Sequence, residues 1–180
     1  MAFLPGLGYA IAMLSVLIET RNNDEALART LSSLVSAAVS GMVREVIVCD
    51  RAVSRETHAI ADQTGCVYLT DGGIGAGVRQ AKADWLLLLE PGARLVDGWS
   101  EAVEHYVATM AMPARFTPSR ADRRPWFVGM FRSSRALREG LLIRKAQALP
   151  LSRHAADAEA VARGLAGRRL AAEIRVADAG

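Results

Sequence analysis

Short apolar runs alternate with segments of helical periodicity along the first two thirds of the chain. Four runs rich in Val, Ile and Leu are predicted to be strands, at residues 14–18, 45–49, 66–69 and 85–89. The fourth run is apolar at every position, which is typical of a strand buried on both faces. A helical pattern follows each run. The first helix is predicted to begin near residue 24 and to end at Gly41, the second to span 55–63 after the cap Ser54, the third to span about 75–83, and the fourth to run from the cap Asp97 to about residue 110. This order predicts an α/β fold with a Rossmann-like, mostly parallel sheet and helices on both faces.

Polar residues follow three of these strands directly. They form the joins Glu19–Asp24, Asp50–Ser54 and Glu90–Arg94. Because parallel strands end at the same edge of a sheet, we expect these joins to share one rim. Ligands bind at that rim in open α/β sheets. The sequence therefore predicts a binding site built from the carboxyl ends of the strands.

The pattern changes after residue 110. Three prolines and a run of arginines predict a long polar loop over residues 113–125. Beyond it, the apolar runs predict strands at 126–131, 141–144 and 170–176, and a helix at 155–165. The length fits one domain over residues 1–180, with a first half at 13–110 and a second half at 111–180.

Composition indicates a globular protein with an aliphatic core, since 51% of the residues are hydrophobic and only 6% are aromatic. Residues 1–18 carry no charge, but Pro5 and two glycines interrupt them. We therefore predict a leader before Met13 rather than a membrane span, and a cytoplasmic protein. Cys49 and Cys66 are predicted to be reduced, because two cysteines supply neither a disulfide framework nor a zinc site.

Charge is divided unevenly between the two parts of the chain. Residues 1–114 carry a net charge of −5, whereas residues 115–180 carry +8. The basic part is either a solvated face without a partner or a surface for an anionic membrane or a lipid-phosphate acceptor, which would make the protein peripheral at the membrane. Nucleic acid is not expected as a partner, because the arginines are not interleaved with aromatic residues and the sequence contains no known nucleic-acid-binding motif.

Seven segments, in this order, resemble one protein family. They are Glu19–Asp24, Glu25–Leu34, Glu45–Asp50, Gly73–Val78, Leu86–Leu95, Glu139–Arg144 and His154–Glu159. The order and spacing resemble the family 2 glycosyltransferases, which have the GT-A fold. The resemblance implies that the first half binds a nucleotide-sugar donor and that the second half faces the acceptor. Two positions depart from the family: Glu19 stands where it has proline, and Arg21 where it has tyrosine.

The resemblance implies a set of donor-binding residues. They are Thr20, Asn22, Asp50, Arg79 and Glu90. Asp50 would accept the imide N–H of uracil, and Arg79 would reach the diphosphate. Each has a plainer alternative: Asp50 as a turn cap, Thr20 and Asn22 as helix caps, and Arg79 as a surface arginine.

The metal motif of the family is incomplete in this chain. The resemblance places Glu90-Pro91-Gly92 where the family has Asp-x-Asp, which holds Mg²⁺ or Mn²⁺ against the diphosphate. Glu90 supplies one carboxylate and Gly92 supplies none. We therefore expect any cation to bind through Glu90, substrate phosphates and water, and more weakly than in the family.

The motif that carries the catalytic base is also incomplete in this chain. Ala156-Asp157 stands where the family has a Glu-Asp pair, so Asp157 is the candidate base that deprotonates the acceptor hydroxyl. Its alternative role is that of an acidic residue in the first turn of a helix.

These features give two hypotheses. The first is a glycosyltransferase that moves a sugar from a nucleotide sugar, with UDP as the expected nucleotide, to a lipid-linked or saccharide acceptor. The alternative is a degenerate, non-catalytic GT-A domain that acts as a nucleotide-binding or regulatory module. A Rossmann oxidoreductase is disfavoured, because the Gly73-x-Gly75-x-Gly77 pattern follows the third strand and not the first.

Overall fold

The computed structural model describes residues 13–119 and 136–176. Its strands are β1 (Leu14–Thr20), β2 (Val43–Asp50), β3 (Val67–Leu69), β4 (Trp85–Leu89), β5 (Arg94–Leu95), β6 (Ala114–Pro118), β7 (Leu141–Arg144) and β8 (Arg168–Arg175). Its helices are α1 (Asp24–Ser32), α2 (Val35–Val39), α3 (Arg55–Gln63), α4 (Gly73–Gln80), α5 (Trp99–Thr109), α6 (Lys145–Ser152) and α7 (Ala158–Ala162). The predicted leader, the strand at 126–131 and the run of arginines at 120–124 lie outside the described residues.

One eight-stranded sheet runs through this part of the chain, in the order β3-β2-β1-β4-β7-β6-β8-β5. Strands β3, β2, β1 and β4 are mutually parallel, and β6 is parallel to β8. Strand β7 runs antiparallel to both β4 and β6, and β5 runs antiparallel to β8. The predicted α/β fold with a mostly parallel sheet is confirmed. The antiparallel strand next to β4 was not anticipated by the sequence.

The core lies on both faces of the sheet. On one face, Trp85, Leu87 and Leu89 of β4 pack with residues of α1, α2 and α5. On the other face, Leu86 and Leu88 pack with residues of α4, α6 and α7. Every residue of β4 is therefore buried, which explains its uninterrupted apolar sequence.

Several predicted elements match the structure closely. Helix α3 begins after Ser54, whose hydroxyl accepts a hydrogen bond from the Thr57 N–H at 3.2 Å. Strands β4 and β7 and helix α3 have the predicted bounds.

Other predictions about elements were wrong. The first helix is divided into α1 and α2, because Ser32 and Ser33 donate their hydroxyls back to backbone carbonyls of the preceding turn. Asp97 does not cap α5; the N-cap is Gly98 in a left-handed conformation. Part of the predicted polar loop is strand β6, which is buried between β7 and β8 at Ala114 and Phe116.

The second half also differs from the prediction at its helices. Helix α6 was missed, because Pro150 lies inside it and breaks the helical pattern of the sequence. The predicted helix at 155–165 is the shorter α7, and Asp157 is its N-cap.

No helix in the two described stretches is long and apolar enough to cross a bilayer. Both cysteines are free, with Cys49 buried and Cys66 half-buried. Burial raises the pKa of both thiols, that of Cys49 to about 12.

Candidate functional site

The strand order reverses between β1 and β4, since the chain adds β2 and β3 on one side of β1 and β4 on the other. Such a reversal opens a crevice at the carboxyl ends of the two strands. Thr20 pairs with Asp50 at this edge, and Glu90 follows the pair formed by Ile18 and Leu89. The fold therefore brings Thr20, Asp50 and Glu90 to one rim.

The carboxylate of Asp50 is engaged by the protein itself. Its Oδ1 accepts the Ala52 N–H at 2.9 Å, and its Oδ2 accepts the Ser54 N–H at 2.7 Å and the Tyr68 hydroxyl at 2.8 Å. The residue is 1% exposed. Burial and the Asp50 hydrogen bond raise the pKa of Tyr68 to about 12. These contacts are those of a residue that fixes the β2–α3 turn. Recognition of the uracil base by Asp50 stays a prediction.

Thr20 is the last residue of β1 and Asn22 lies in the turn that follows, and neither caps helix α1. Asn23 is the N-cap of α1, and its side chain forms no capping hydrogen bond within the described backbone. Asn22 is exposed, with a φ of 50°. Thr20 is 3% exposed, and its hydroxyl has no hydrogen-bond partner among the described residues. A buried hydroxyl without a partner is an unsatisfied polar group at the rim.

Glu90 is half-buried at the end of β4. The turn that follows is fixed to helix α1, because the Gly92 N–H donates to the Ala26 carbonyl at 2.9 Å and to the Thr30 hydroxyl at 2.8 Å. Within the residues that the structure describes, no three His, Cys, Asp or Glu side chains are grouped so that they could hold a metal ion. Glu90 fits a divalent cation only if the diphosphate supplies further oxygen ligands, which is how Mg²⁺ is often bound.

Helix α4 begins at the rim with two glycines in the left-handed region, Gly72 with φ of 74° and Gly73 with φ of 51°. Arg79 is exposed and its guanidinium lies back along this helix, since Nη2 lies 3.6 Å from where a Cβ on Gly72 would be. The Gly-rich segment is thus the first turns of a helix, with an arginine beside its N-terminus.

A polar cavity of about 310 Å³ opens at the start of α4. Its lining comes from the ends of β2 and β3, the first turn of α4 and the turn before α7, namely Arg51, Thr70, Gly72, Gly73, Ile74, Ala155 and Ala156. We call it the rim pocket. Both halves of the chain therefore contribute to its walls.

Glu19 is a site residue that the sequence analysis noted only as a departure from the family. It is the penultimate residue of β1, next to the rim pocket, and its side chain is 9% exposed. Its Oε2 accepts the Ala158 N–H at 2.8 Å, and its Oε1 lies 3.9 Å from Nη1 of Arg51. The available signal was a charged residue directly after an apolar strand.

Burial raises the pKa of Glu19 above its usual value. The Ala158 N–H and the Arg51 charge oppose this effect, and the charge of Asp157 adds to it. Glu19, Arg51 and Asp157 therefore form one electrostatic cluster at the rim.

Asp157 comes to the same rim from the second half of the chain. Its Oδ1 accepts the Ala160 N–H at 2.7 Å, so it is the N-cap of α7. Its neighbour Ala156 accepts a hydrogen bond from Nη1 of Arg51 at 2.8 Å. The candidate base and the candidate donor-binding edge are thus adjacent, although a helix-capping role of Asp157 is also evident.

No protein-family model and no curated protein matches the sequence, whereas many solved structures match the fold. S. aureus TarS 1-349 aligns over 93% of this chain and 58% of its own, with a TM-score of 0.61 and 16% identity. The mannosyltransferase PcManGT from Pyrobaculum calidifontis, solved with GDP-Man and Mn²⁺, aligns over 81% of this chain and 49% of its own, with a TM-score of 0.57 and 15% identity.

A third structure is glucosyl-3-phosphoglycerate synthase from Mycobacterium tuberculosis, solved with Mn²⁺, UDP and glucosyl-3-phosphoglycerate. It aligns over 81% of this chain and 64% of its own, with a TM-score of 0.53 and 14% identity. All three are GT-A glycosyltransferases, so the chain has the GT-A fold, as the resemblance implied. The chain spans about half to two thirds of the length of these structures.

Proposed function

We propose that this chain binds a nucleoside diphosphate sugar at the carboxyl edge of β1, β2 and β4 and transfers the sugar to an acceptor. The observation that supports this most is the rim pocket at the carboxyl ends of β2 and β3, on the same rim as the strand-order reversal between β1 and β4 and with Asp157 at its border. The structural neighbours with bound UDP or GDP-Man have the same fold. Ligands of α/β sheets bind at this position.

In this proposal the rim residues have separate tasks. The nucleotide lies against the turn after β1, with Thr20 and Asn22 as contacts and Asp50 fixing the adjoining turn. Arg79 and the first turn of α4 face the diphosphate, whose negative charge a helix N-terminus favours. Glu90 marks the diphosphate end of the site.

Transfer would proceed by attack of an acceptor hydroxyl on the anomeric carbon. The new bond from oxygen to the anomeric carbon forms as the bond to the diphosphate breaks, and the carboxylate of Asp157 takes the hydroxyl proton. A divalent cation, held by Glu90 and phosphate oxygens, would supply charge neutralisation of the leaving diphosphate.

The acceptor is proposed to carry negative charge or to lie at an anionic surface. The second half exposes arginines that come from different elements, namely Arg144, Arg153, Arg163, Arg168 and Arg175. A lipid phosphate or an anionic membrane complements such a surface. Binding to vesicles with and without anionic lipid tests this part of the proposal.

The first experiment is calorimetric titration with UDP, GDP and their sugars, with and without Mn²⁺. Binding that strengthens with Mn²⁺, and that loses this dependence in Glu90→Ala, supports the proposed donor site. Binding that does not depend on the metal would support the donor site but contradict the proposed cation at Glu90. No binding of any of these nucleotides contradicts the proposal.

The second experiment separates a transferase from a non-catalytic module. Asp157→Asn keeps a side chain that caps helices well and removes the carboxylate. We expect unchanged folding and nucleotide affinity, and a loss of transfer of at least about 100-fold if Asp157 is the base. A wild-type protein that binds the nucleotide but transfers to no acceptor would favour the module.

A further inference from the structure

We propose that Glu19 is a positioning residue that holds the turn 155–157 in place as a wall of the rim pocket, and so sets the affinity for the nucleotide. This inference rests on the proposed function, because the nucleotide is the ligand of the pocket. The family resemblance places proline at this position, so the role belongs to this chain and not to the resemblance.

The turn before α7 is held from two directions. Glu19 accepts the N–H of Ala158 at 2.8 Å, and Arg51 donates Nη1 to the carbonyl of Ala156 at 2.8 Å. The two side chains start from the ends of neighbouring strands, and Glu19 Oε1 lies 3.9 Å from Arg51 Nη1. Together they form a clamp that fixes the backbone on either side of Asp157.

The clamp bridges parts of the chain that are far apart in sequence, since Glu19 and Ala158 are separated by 139 positions. Helix α7 has only five residues and does not determine its own orientation. Val161 and Ala162 anchor the helix in the core, and the contacts with the strand ends hold the turn before it, with Ala155 and Ala156, against the pocket.

Glu19 also faces the opposite wall of the pocket. Its Oε1 would lie 3.3 Å from a Cβ on Gly73, the first residue of α4. This oxygen is buried and has no hydrogen-bond partner among the described residues. The carboxylate therefore lies between the two walls, and its loss is expected to loosen the pocket and to displace Asp157.

The test uses Glu19→Ala and a matched control at another buried glutamate. Glu45 also is 9% exposed, its Oε1 accepts the Lys82 N–H at 2.6 Å, and its Oε2 lies 3.9 Å from Nζ of Lys82. It lies near the opposite end of β2, away from the rim. Both replacements remove a buried carboxylate, but only Glu19→Ala removes one that contacts the walls of the pocket.

Affinity for UDP and GDP is measured by calorimetry, and stability by thermal unfolding. We expect Glu19→Ala to weaken binding of the preferred nucleotide about tenfold or more, which is the cost of one lost buried hydrogen bond. Glu45→Ala should lower the melting temperature and leave affinity within about twofold. Glu19→Gln keeps an acceptor for the Ala158 N–H and should restore affinity to within about threefold.

A second variant removes the donor of the hydrogen bond between Ala158 and Glu19. Ala158→Pro removes the N–H at the first position of α7, where proline suits a helix, and Asp157 already has the extended backbone that precedes proline. This variant should weaken nucleotide binding as Glu19→Ala does, and it tests the clamp if Glu19→Ala fails to fold.

The two proposals fail in different ways. If the wild-type protein binds UDP or GDP, and Glu19→Ala and Ala158→Pro bind equally well, the clamp is refuted and the donor site stands. If Glu45→Ala weakens binding as much as Glu19→Ala, the effect is one of stability and the positioning role is wrong. If the wild-type protein binds neither nucleotide, the proposed function itself falls.

Discussion

Two carboxylates at neighbouring strand ends show how differently the same chemical group is used at this rim. Asp50 is surrounded by three donors, whereas Glu19 has one donor on Oε2, and its Oε1 faces the Arg51 guanidinium at 3.9 Å without a hydrogen bond among the described residues. Asp50 therefore stabilises its own turn. Glu19 connects two halves of the chain.

Replacement of Asp50 tests whether its main task is structural. Asp50→Ala should lower the free energy of unfolding by about 1–3 kcal/mol, because it leaves the half-buried N–H groups of Ala52 and Ser54 and the Tyr68 hydroxyl without their acceptor. Tyr68→Phe removes one of these contacts and should cost about 1 kcal/mol. Urea unfolding measures both. An Asp50→Ala protein of normal stability that has lost UDP affinity would instead support base recognition.

The raised pKa of Glu19 makes stability depend on pH. The folded protein binds this proton more tightly than the unfolded chain, so the stabilisation is complete below about pH 4.5 and is lost as pH rises through the folded pKa. Arg51, Asp157 and Cys49 are the ionisable groups that interact with Glu19. Glu19→Gln has no charge to lose and should be more stable than the wild type at pH 7.

Thermal unfolding from pH 4 to pH 8 measures this difference. The gain in melting temperature of Glu19→Gln should shrink towards zero at pH 4. Glu25→Gln, on the exposed face of α1, is the control and should change the melting temperature by no more than about 2 °C throughout. A gain that is constant with pH would show that ionisation of Glu19 is not its cause.

The residue types at the rim were predictable, but their partners were not. Polar residues after apolar runs located Thr20, Asp50 and Glu90 on one edge, because parallel strands end together. The contact of Glu19 with Ala158 depends on how the second half packs on the first, and no local pattern encodes that. Base recognition by Asp50 and proton transfer to Asp157 stay predictions, which the Asp50→Ala and Asp157→Asn variants test.

At the scale of elements, glycines let helix α4 approach the sheet closely. A Cβ on Gly77 would lie 2.8 Å from Sγ of Cys49 and 3.2 Å from Cδ2 of Leu17. Gly75 is similarly close to α6, where its Cβ would meet the Ser152 carbonyl oxygen at 3.0 Å. The glycine spacing that resembled a dinucleotide motif therefore serves packing at these two positions.

Gly77→Ala measures this packing. Alanine favours a helix by about 1 kcal/mol over glycine, but the overlap with Cys49 should outweigh that gain and cost about 1–3 kcal/mol overall. In a Cys49→Ala background the cost should fall, because the sulfur is gone. Urea unfolding of the four proteins in this double-mutant cycle gives the coupling. Additive effects would place the strain elsewhere.

Elements with a strong local signal were predicted well, and elements that depend on tertiary contacts were not. Helix α3 has a capping serine and two glycine-free turns, and β4 is apolar throughout, so both had the predicted bounds. Strand β6 has polar residues at Arg115 and Thr117 and a proline at its end, Pro118. This pattern predicted a polar loop. The segment is a strand because β7 and β8 lie on both sides of it.

At the scale of the whole molecule, the two predicted halves share one sheet. Strand β4 of the first half pairs with β7 of the second, and β5 pairs with β8. We therefore expect the halves not to fold separately, even though their charges differ in sign.

Residues 13–110 expressed alone test this statement. We expect an aggregated or unfolded product, because β4 would lose its partner β7 and leave an apolar edge exposed. Residues 13–180 are the control and should give a cooperative thermal transition. Circular dichroism and size-exclusion chromatography distinguish the outcomes. A monomeric, cooperatively folding 13–110 fragment would show that the first half is a domain by itself.

The place of β4 in the sheet also has a consequence during synthesis on the ribosome. The strand is made first, and its neighbour β7 follows only after residues 90–140 have been added. At about 5–20 residues per second, the interval is roughly 3–10 s. For that time the nascent chain carries Trp-Leu-Leu-Leu-Leu without its antiparallel partner, a sequence of the kind that chaperones recognise. The yield of this protein in a cell should therefore depend on elongation rate and chaperone supply more than its final stability suggests.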